Sequence, residues 1–297
     1  MTAPAMRLGD RPLARRVRRL LARLFERPRG RVATAGVLAL VVAALFAPLL
    51  APYDPTAQLG IETLAGQAPS LAHPFGTDPY SRDVLSRVMY GARISLAVAV
   101  LSTLLSITVA TLYGAVAGFR GGRVDALMMR FVDGAMAVPR VLLLLAVGAL
   151  WGGLTTLQLV LLLGLTQWFP VSRLVRAEVL VARSEEYVTS ARALGAGESR
   201  VLFRHVLPNV LSPVLVAAMI GVSNVITLEA GLSYLGFGIR PPAPSWGNII
   251  QDGSDQVAAL WWVSLFPGLA IVLTVACFTA LGDALRDVMD TRQVDGR

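Results

Sequence analysis

The chain has 297 residues, 55% of them hydrophobic and only 15% charged, with a mean hydropathy of +0.63 and a formal net charge of +8. This is not the balance of a soluble domain: apolar area on this scale without polar cover belongs in lipid. All 27 basic residues are arginine, so the chain has neither the lysine of a conventional P-loop nor one for Schiff-base chemistry.

In chain order, residues 1–31 form a basic segment carrying ten arginines. Val32–Ala51 follows with 20 uncharged residues, enough for one spanning helix. The basic leader is too long for a signal peptide, so this helix is read as uncleaved. In the next loop Asp78-Pro79 reads as an N-cap with proline at the first helical position. Val84, Leu85, Val88 and Met89 then recur at helical spacing, which predicts a short helix on the membrane interface. Ile94–Phe119 is the second span. The uncharged stretch between Arg140 and Arg173 is too long for one helix and has Gly152-Gly153 in its middle. Two spans with a tight turn at those glycines are predicted, the first beginning near Phe131, with Pro139 bending its entry and Arg140 close to the inner surface. Val210–Leu228 and Val257–Gly282 complete six spans, and Trp261-Trp262 reads as an interfacial anchor.

Charge orients the bundle. With both termini cytoplasmic, 23 of the 27 arginines lie inside, and only Arg82, Arg87, Arg93 and Arg240 lie outside or at the outer interface. This topology accounts for the basic charge without nucleic acid. Four units result: a cytoplasmic basic segment (1–31), a first helix with its extracytoplasmic loop (32–92), a membrane core (93–285) with a cytoplasmic loop at 183–208, and a cytoplasmic tail (286–297).

Nothing in the sequence points to catalysis, a bound cofactor or a metal. Cys277 is alone in an apolar run and reads as a small buried hydrophobe. His73 and His205 are far apart and have no cysteine near either. The spans hold almost no ionisable group, which argues against a proton-coupled carrier. Glu229, at the outer end of the fifth span, has two readings: a carboxylate solvated at the interface, or an external gate or pore wall that contacts a substrate amine. Asp283, Arg286, Asp287 and Asp290 form an inner-surface cluster in which Arg286 and Asp290 can pair along one helix face.

The most informative stretch is Tyr187–Pro208, YVTSARALGAGESRVLFRHVLP. It is predicted to form two short helices joined near Gly195-Ala196-Gly197, where glycine breaks the helix. Its small residues, Ser190, Ala191, Ala193, Gly195, Ala196 and Gly197, let another protein approach the backbone closely. Tyr187 and Phe203 are read either as anchors for that partner or as packing within the loop. The stretch resembles the EAA loop of bacterial ABC-transporter permeases, in which E-A-A is followed after three residues by Gly and nine residues later by I-x-L-P. The triplet falls on Thr189, Ser190 and Ala191, the glycine on Gly195, and the ending on Leu207 and Pro208; Thr189, Ser190 and His205 replace the family's Glu, Ala and Ile. HPFGTD (73–78), RDVLSR (82–87), RHVLPN (204–209), EAGLSYLGFG (229–238), PSWG (244–247) and GDALRD (282–287) are similar to the C-type permease of dipeptide, oligopeptide and nickel systems.

That resemblance implies an all-α, polytopic protein of six transmembrane helices with the type I ABC importer permease fold, in a bacterial cytoplasmic membrane. It implies half of the pathway for di- or oligopeptides, with nickel, glutathione or another small solute as alternative cargo and a stand-alone secondary transporter as the rival class. The implied partners are a second homologous permease, two cytoplasmic ATPase subunits that hold ATP and Mg, and an extracytoplasmic solute-binding protein.

Overall fold

The computed structural model describes residues 24–294, and the side chains of 24–289. Most of the basic segment 1–31, the end of the tail and the Arg286–Asp290 pairing therefore lie outside the described residues.

The described chain is all-helical. The long helices are α1 (Pro28–Leu45), α2 (Val84–Arg120), α3 (Gly122–Met136), α4 (Arg140–Trp151) and α5 (Thr156–Ala182). They continue as α6 (Glu186–Ala193), α7 (Glu198–Tyr234), α8 (Trp246–Asp252) and α9 (Trp261–Val294). Five of them, α1, α2, α5, α7 and α9, are long and apolar enough to cross a membrane; the pair α3–α4, bent by 68°, brings the number to six when counted as one span.

The predicted interfacial helix is not separate. Asp83, not Asp78, caps α2, accepting from the Ser86 amide at 2.8 Å, and the helix runs unbroken from Val84 into the membrane. The boundary expected at 92/93 thus falls inside one helix. Asp78 is instead fully buried, where its carboxylate accepts from the Tyr80 and Arg82 amides at 2.9 Å each. Trp262 is likewise no interfacial anchor: it is buried and its indole N–H donates to the Thr77 carbonyl at 3.0 Å, while Trp261 is exposed.

The turn at Gly152-Gly153 forms as predicted. Gly152 takes the left-handed conformation at φ 59° and ends α4, and Thr155 starts α5 with a capping box to Gln158. The first helix of that pair differs from expectation. It breaks at Ala137–Pro139 because proline cannot extend the preceding helix and pushes the residue before it out of the α region. α3 is held to the arginine-rich end of α5 by Asp125, which accepts from Arg176 Nε and Nη2 at 2.5 and 2.6 Å. α4 starts only at Arg140, whose Nε and Nη2 donate to Thr166 Oγ1 and the Leu163 carbonyl at 3.1 and 3.0 Å. Leu163 and Thr166 lie roughly 10–15 Å along α5 from Thr156 at 1.5 Å per residue, near the middle of a hydrocarbon layer about 30 Å thick. With α5 entering the hydrocarbon at Thr156, Arg140 lies near mid-depth, whereas the sequence reading has it close to the inner surface.

The core of the bundle is the α2–α5 contact, closed by small residues. Gly114 and Gly118, one turn apart on α2, face Ser172, Val175, Arg176 and Val179 of α5, and a Cβ on Gly118 would sit 2.8 Å from the Arg176 carbonyl oxygen. Gly164 of α5 faces Ser102 and Leu105 in the same way. Small residues are what let two helix backbones approach closely in lipid. Gly118→Val is expected to destabilise the bundle by about 1–3 kcal/mol through overpacking, read as a lower unfolding midpoint in detergent. An unchanged midpoint would mean that α2 and α5 do not meet there.

Candidate functional site: a coupling hairpin and an outer cap

At the arginine-rich end, α6 and the start of α7 form a helical hairpin. Gly195 (φ +80°) closes α6: its amide donates to Arg192 O at 2.9 Å and the Ala196 amide to Ala191 O at 3.1 Å, the two bonds of a Schellman motif. The next helix starts at Glu198, and Arg192 spans the turn with both Nε and Nη2 on the Glu198 carboxylate at 3.1 Å. Over Val201–Val206 the backbone widens to a π-helix. Pro208 supplies a physical reason, because its ring would meet the Arg204 carbonyl in a normal α-turn.

The hairpin is fixed to the spans it joins. Val188, Val201, Val206, Val210 and Val214 pack with Val175, Val179 and Ala182 in one buried cluster, and Arg183 donates to the Gly118 carbonyl at 2.8 Å. Of the motif residues, Ala191 is buried, and Leu207, which packs against this cluster, and Pro208 are half-buried. Thr189, Ser190 and Gly195 are exposed; the Thr189 hydroxyl donates to the Glu186 carbonyl at 3.0 Å. Space beside Gly195 and Gly197 is open. The tip residue Leu194 is 89% exposed and Phe203 is 60% exposed. Phe203 thus does not pack within the loop, whereas Tyr187 accepts from Asn209 Nδ2 at 3.0 Å. The result is a rigid knob with an apolar tip, continuous with α7 and one short turn from α5.

At the opposite end, the loop before α2 is locked to α8. Arg82 Nε meets Asp78 at 2.6 Å, Arg82 Nη2 and Arg87 Nη1 each meet Asp252 at 2.7 Å, and Arg87 also donates to Asp78. His73 Nδ1 lies 2.9 Å from Asp83 beneath them. Sequence reading placed Arg82 and Arg87 at this face but missed the network. Its signal was the RDVLSR spacing, which sets Arg82 just before α2 and Arg87 in its first turn; Asp252 is 165 residues further on than Arg87. A cavity of about 210 Å³ opens beside this network, lined among others by Arg82, Arg87, Arg240, Asn248, Gln251 and Asp252.

Glu229 is neither solvated nor on a pore wall within this chain. It is fully buried between α2 and α7, and accepts from Ser95 Oγ at 2.9 Å and Ser233 Oγ at 2.8 Å. These hydroxyls come from positions 134 residues and one helical turn away, so sequence spacing could show only Ser233. Glu229→Gln is expected to keep uptake of a cationic substrate within twofold of wild type. Glu229→Ala is expected to lose about 1–3 kcal/mol of stability by stranding the two hydroxyls. Selective loss of cationic cargo in the glutamine variant would restore the gate reading. Elsewhere, Asp287 pairs with Arg27 at 3.1 Å, tying α9 to the approach of α1, and Asp283 is exposed. Cys277 packs against Gly36 of α1.

A hairpin thus projects from one end of a bundle of five to six candidate spans. Residues 110–295 match the family described as "Binding-protein-dependent transport system inner membrane component", and residues 15–74 match "N-terminal TM domain of oligopeptide transport permease C". The chain belongs to this family of multi-pass inner-membrane permeases. Among relatives, a chain of Brucella suis (biovar 1, strain 1330) described as a peptide permease protein is 42% identical over 95% of this chain and 91% of its own length. The Di/tripeptide transport system permease protein DppC of Pseudomonas aeruginosa (strain UCBPP-PA14) is 39% identical over 86% of each chain.

Proposed function

We propose that this chain forms half of the membrane pathway of an ATP-driven, binding-protein-dependent importer of di- and oligopeptides. The hairpin carries the reading. An exposed apolar tip, a closed turn and a buried valine anchor make 186–207 a lever that transmits a push to α5 and α7 as a rigid body. The push comes from two cytoplasmic ATPase subunits, which hold ATP and Mg; this chain itself is no enzyme and binds neither. The arginine-rich end, with both termini, faces the cytoplasm. A second homologous permease completes the pathway, and a solute-binding protein delivers cargo to the outer cap. Peptide cargo is supported by the relatives named above.

The test is uptake into proteoliposomes holding the assembled complex, its binding protein and internal ATP, with dialanine, trialanine, glutathione and Ni²⁺ offered separately. ATP-dependent accumulation of the two peptides is expected. Accumulation of glutathione or nickel alone would reassign the cargo, and uptake driven by an imposed proton gradient without ATP would make the chain a secondary transporter.

A further inference from the structure

Arg140 stands at mid-depth with most of its hydrogen-bonding capacity unused. A guanidinium has five N–H donors; Nε and one on Nη2 are taken by Thr166 Oγ1 and the Leu163 carbonyl. Among the described residues no acceptor meets the other three and no carboxylate lies within ion-pair distance. The side chain is half-buried, and its partnerless Nη1 is not sealed from outside.

A guanidinium at that depth costs about 2.5–3.5 kcal/mol if it faces lipid, so such groups face a bundle interior or a water-filled space. The backbone makes the same demand. The helix is broken at Ala137–Pro139, and the neighbouring Val138 and Val141 are 52% and 50% exposed. Non-helical backbone at membrane depth is tolerated only within protein or along an aqueous cavity. The guanidinium and the broken backbone, which share one depth, both exclude lipid from the open side of Arg140 and leave protein or a water-filled space there.

We propose that Arg140 is a carboxylate-binding station halfway along the transport pathway, which receives the terminal carboxylate of each passing peptide. This rests on the peptide reading above. The planar fork of an arginine fits a carboxylate with two parallel N–H bonds, and every unmodified peptide carries one. A free divalent cation is repelled from the same point.

The experiment uses the fact that Cys277 is the chain's single cysteine. In a Cys277→Ser background, Arg140→Cys is assembled into the full complex and treated with the membrane-impermeant trimethylammonium-ethyl methanethiosulfonate. Modification of position 140, read as a mass shift of this chain, is expected; no modification would put the residue against lipid or protein and overturn the proposal. Uptake is then measured with trialanine and with trialanine amide. Arg140→Cys is expected to lower trialanine uptake at least tenfold and the amide less than twofold. Aminoethyl methanethiosulfonate, which restores a cation, is expected to return trialanine uptake to within threefold of the background, whereas the neutral methyl reagent does not. Equal losses for acid and amide, no loss for either, or failure of the complex to assemble would show a structural role and overturn the station. If the unmodified complex takes up neither peptide, the cargo reading falls, and labelling alone still decides whether Arg140 lines the pathway.

Discussion

Asp78→Ala is expected to lower the unfolding midpoint of the purified protein in detergent by roughly 10 °C, corresponding to a loss of about 3–5 kcal/mol. The carboxylate is fully buried and accepts from two backbone amides and from Arg82 and Arg87. Its removal strands the Tyr80 and Arg82 amides and leaves Arg87, only 2% exposed, with Asp252 as its single carboxylate partner. Breaking a buried pair from one side costs far more than the pair contributes against an apolar replacement, because the remaining charge stays desolvated. Asp54 supplies the contrast in the same loop. It is exposed and bonds only locally, to the Thr56 amide and hydroxyl, which hold its carboxyl below the usual carboxylate range. Asp54→Ala is expected to leave the midpoint where it is. An Asp78→Ala protein that unfolds at the wild-type temperature would mean that the cap at this end of the bundle is not held by this network.

Gly195→Glu is expected to abolish transport and binding-protein-stimulated ATP hydrolysis while the chain still inserts and assembles with the second permease. Two effects add. The turn needs φ +80° at this position, a conformation that costs an L-residue about 1–2 kcal/mol. The new side chain also projects into the open space beside the hairpin tip, where the proposed ATPase contact falls. Gly195→Ala separates the two, since it carries the strain without the charge and bulk; it is expected to retain a substantial part of the stimulated activity. Measured together, the variants read the loop's function against its folding. Wild-type transport by Gly195→Glu would remove the hairpin from the mechanism.

The helical class, the turn at Gly152-Gly153 and the two-helix hairpin were legible because each rests on local signals: charge-free runs of spanning length, paired glycines, and a glycine flanked by helix formers. What sequence could not place was set by contacts between distant elements. Trp262 looks like a belt residue until the Thr77 carbonyl, 185 residues earlier, claims its N–H. Glu229 looks solvated at a span's end until Ser95 covers it. Arg140 follows Pro139, and the proline was legible as a bend; that the bend lies at mid-depth depends on where α4 docks along α5. Asp78-Pro79 carries a sound capping signal, but tertiary bonds to Arg82 and Arg87 outbid the helix for that carboxylate.

The central claim is that this chain passes force from ATP to a peptide pathway through residues 186–207. It is tested most directly by ATP hydrolysis of the complex in lipid, formed by this chain, its second permease and the ATPases, with and without binding protein loaded with a mixed di- and oligopeptide pool. The account predicts hydrolysis that rises several-fold with the loaded binding protein, and loses that rise, but not assembly of the two permeases, in Gly195→Glu. Hydrolysis indifferent to both the loaded binding protein and the hairpin substitution would contradict it.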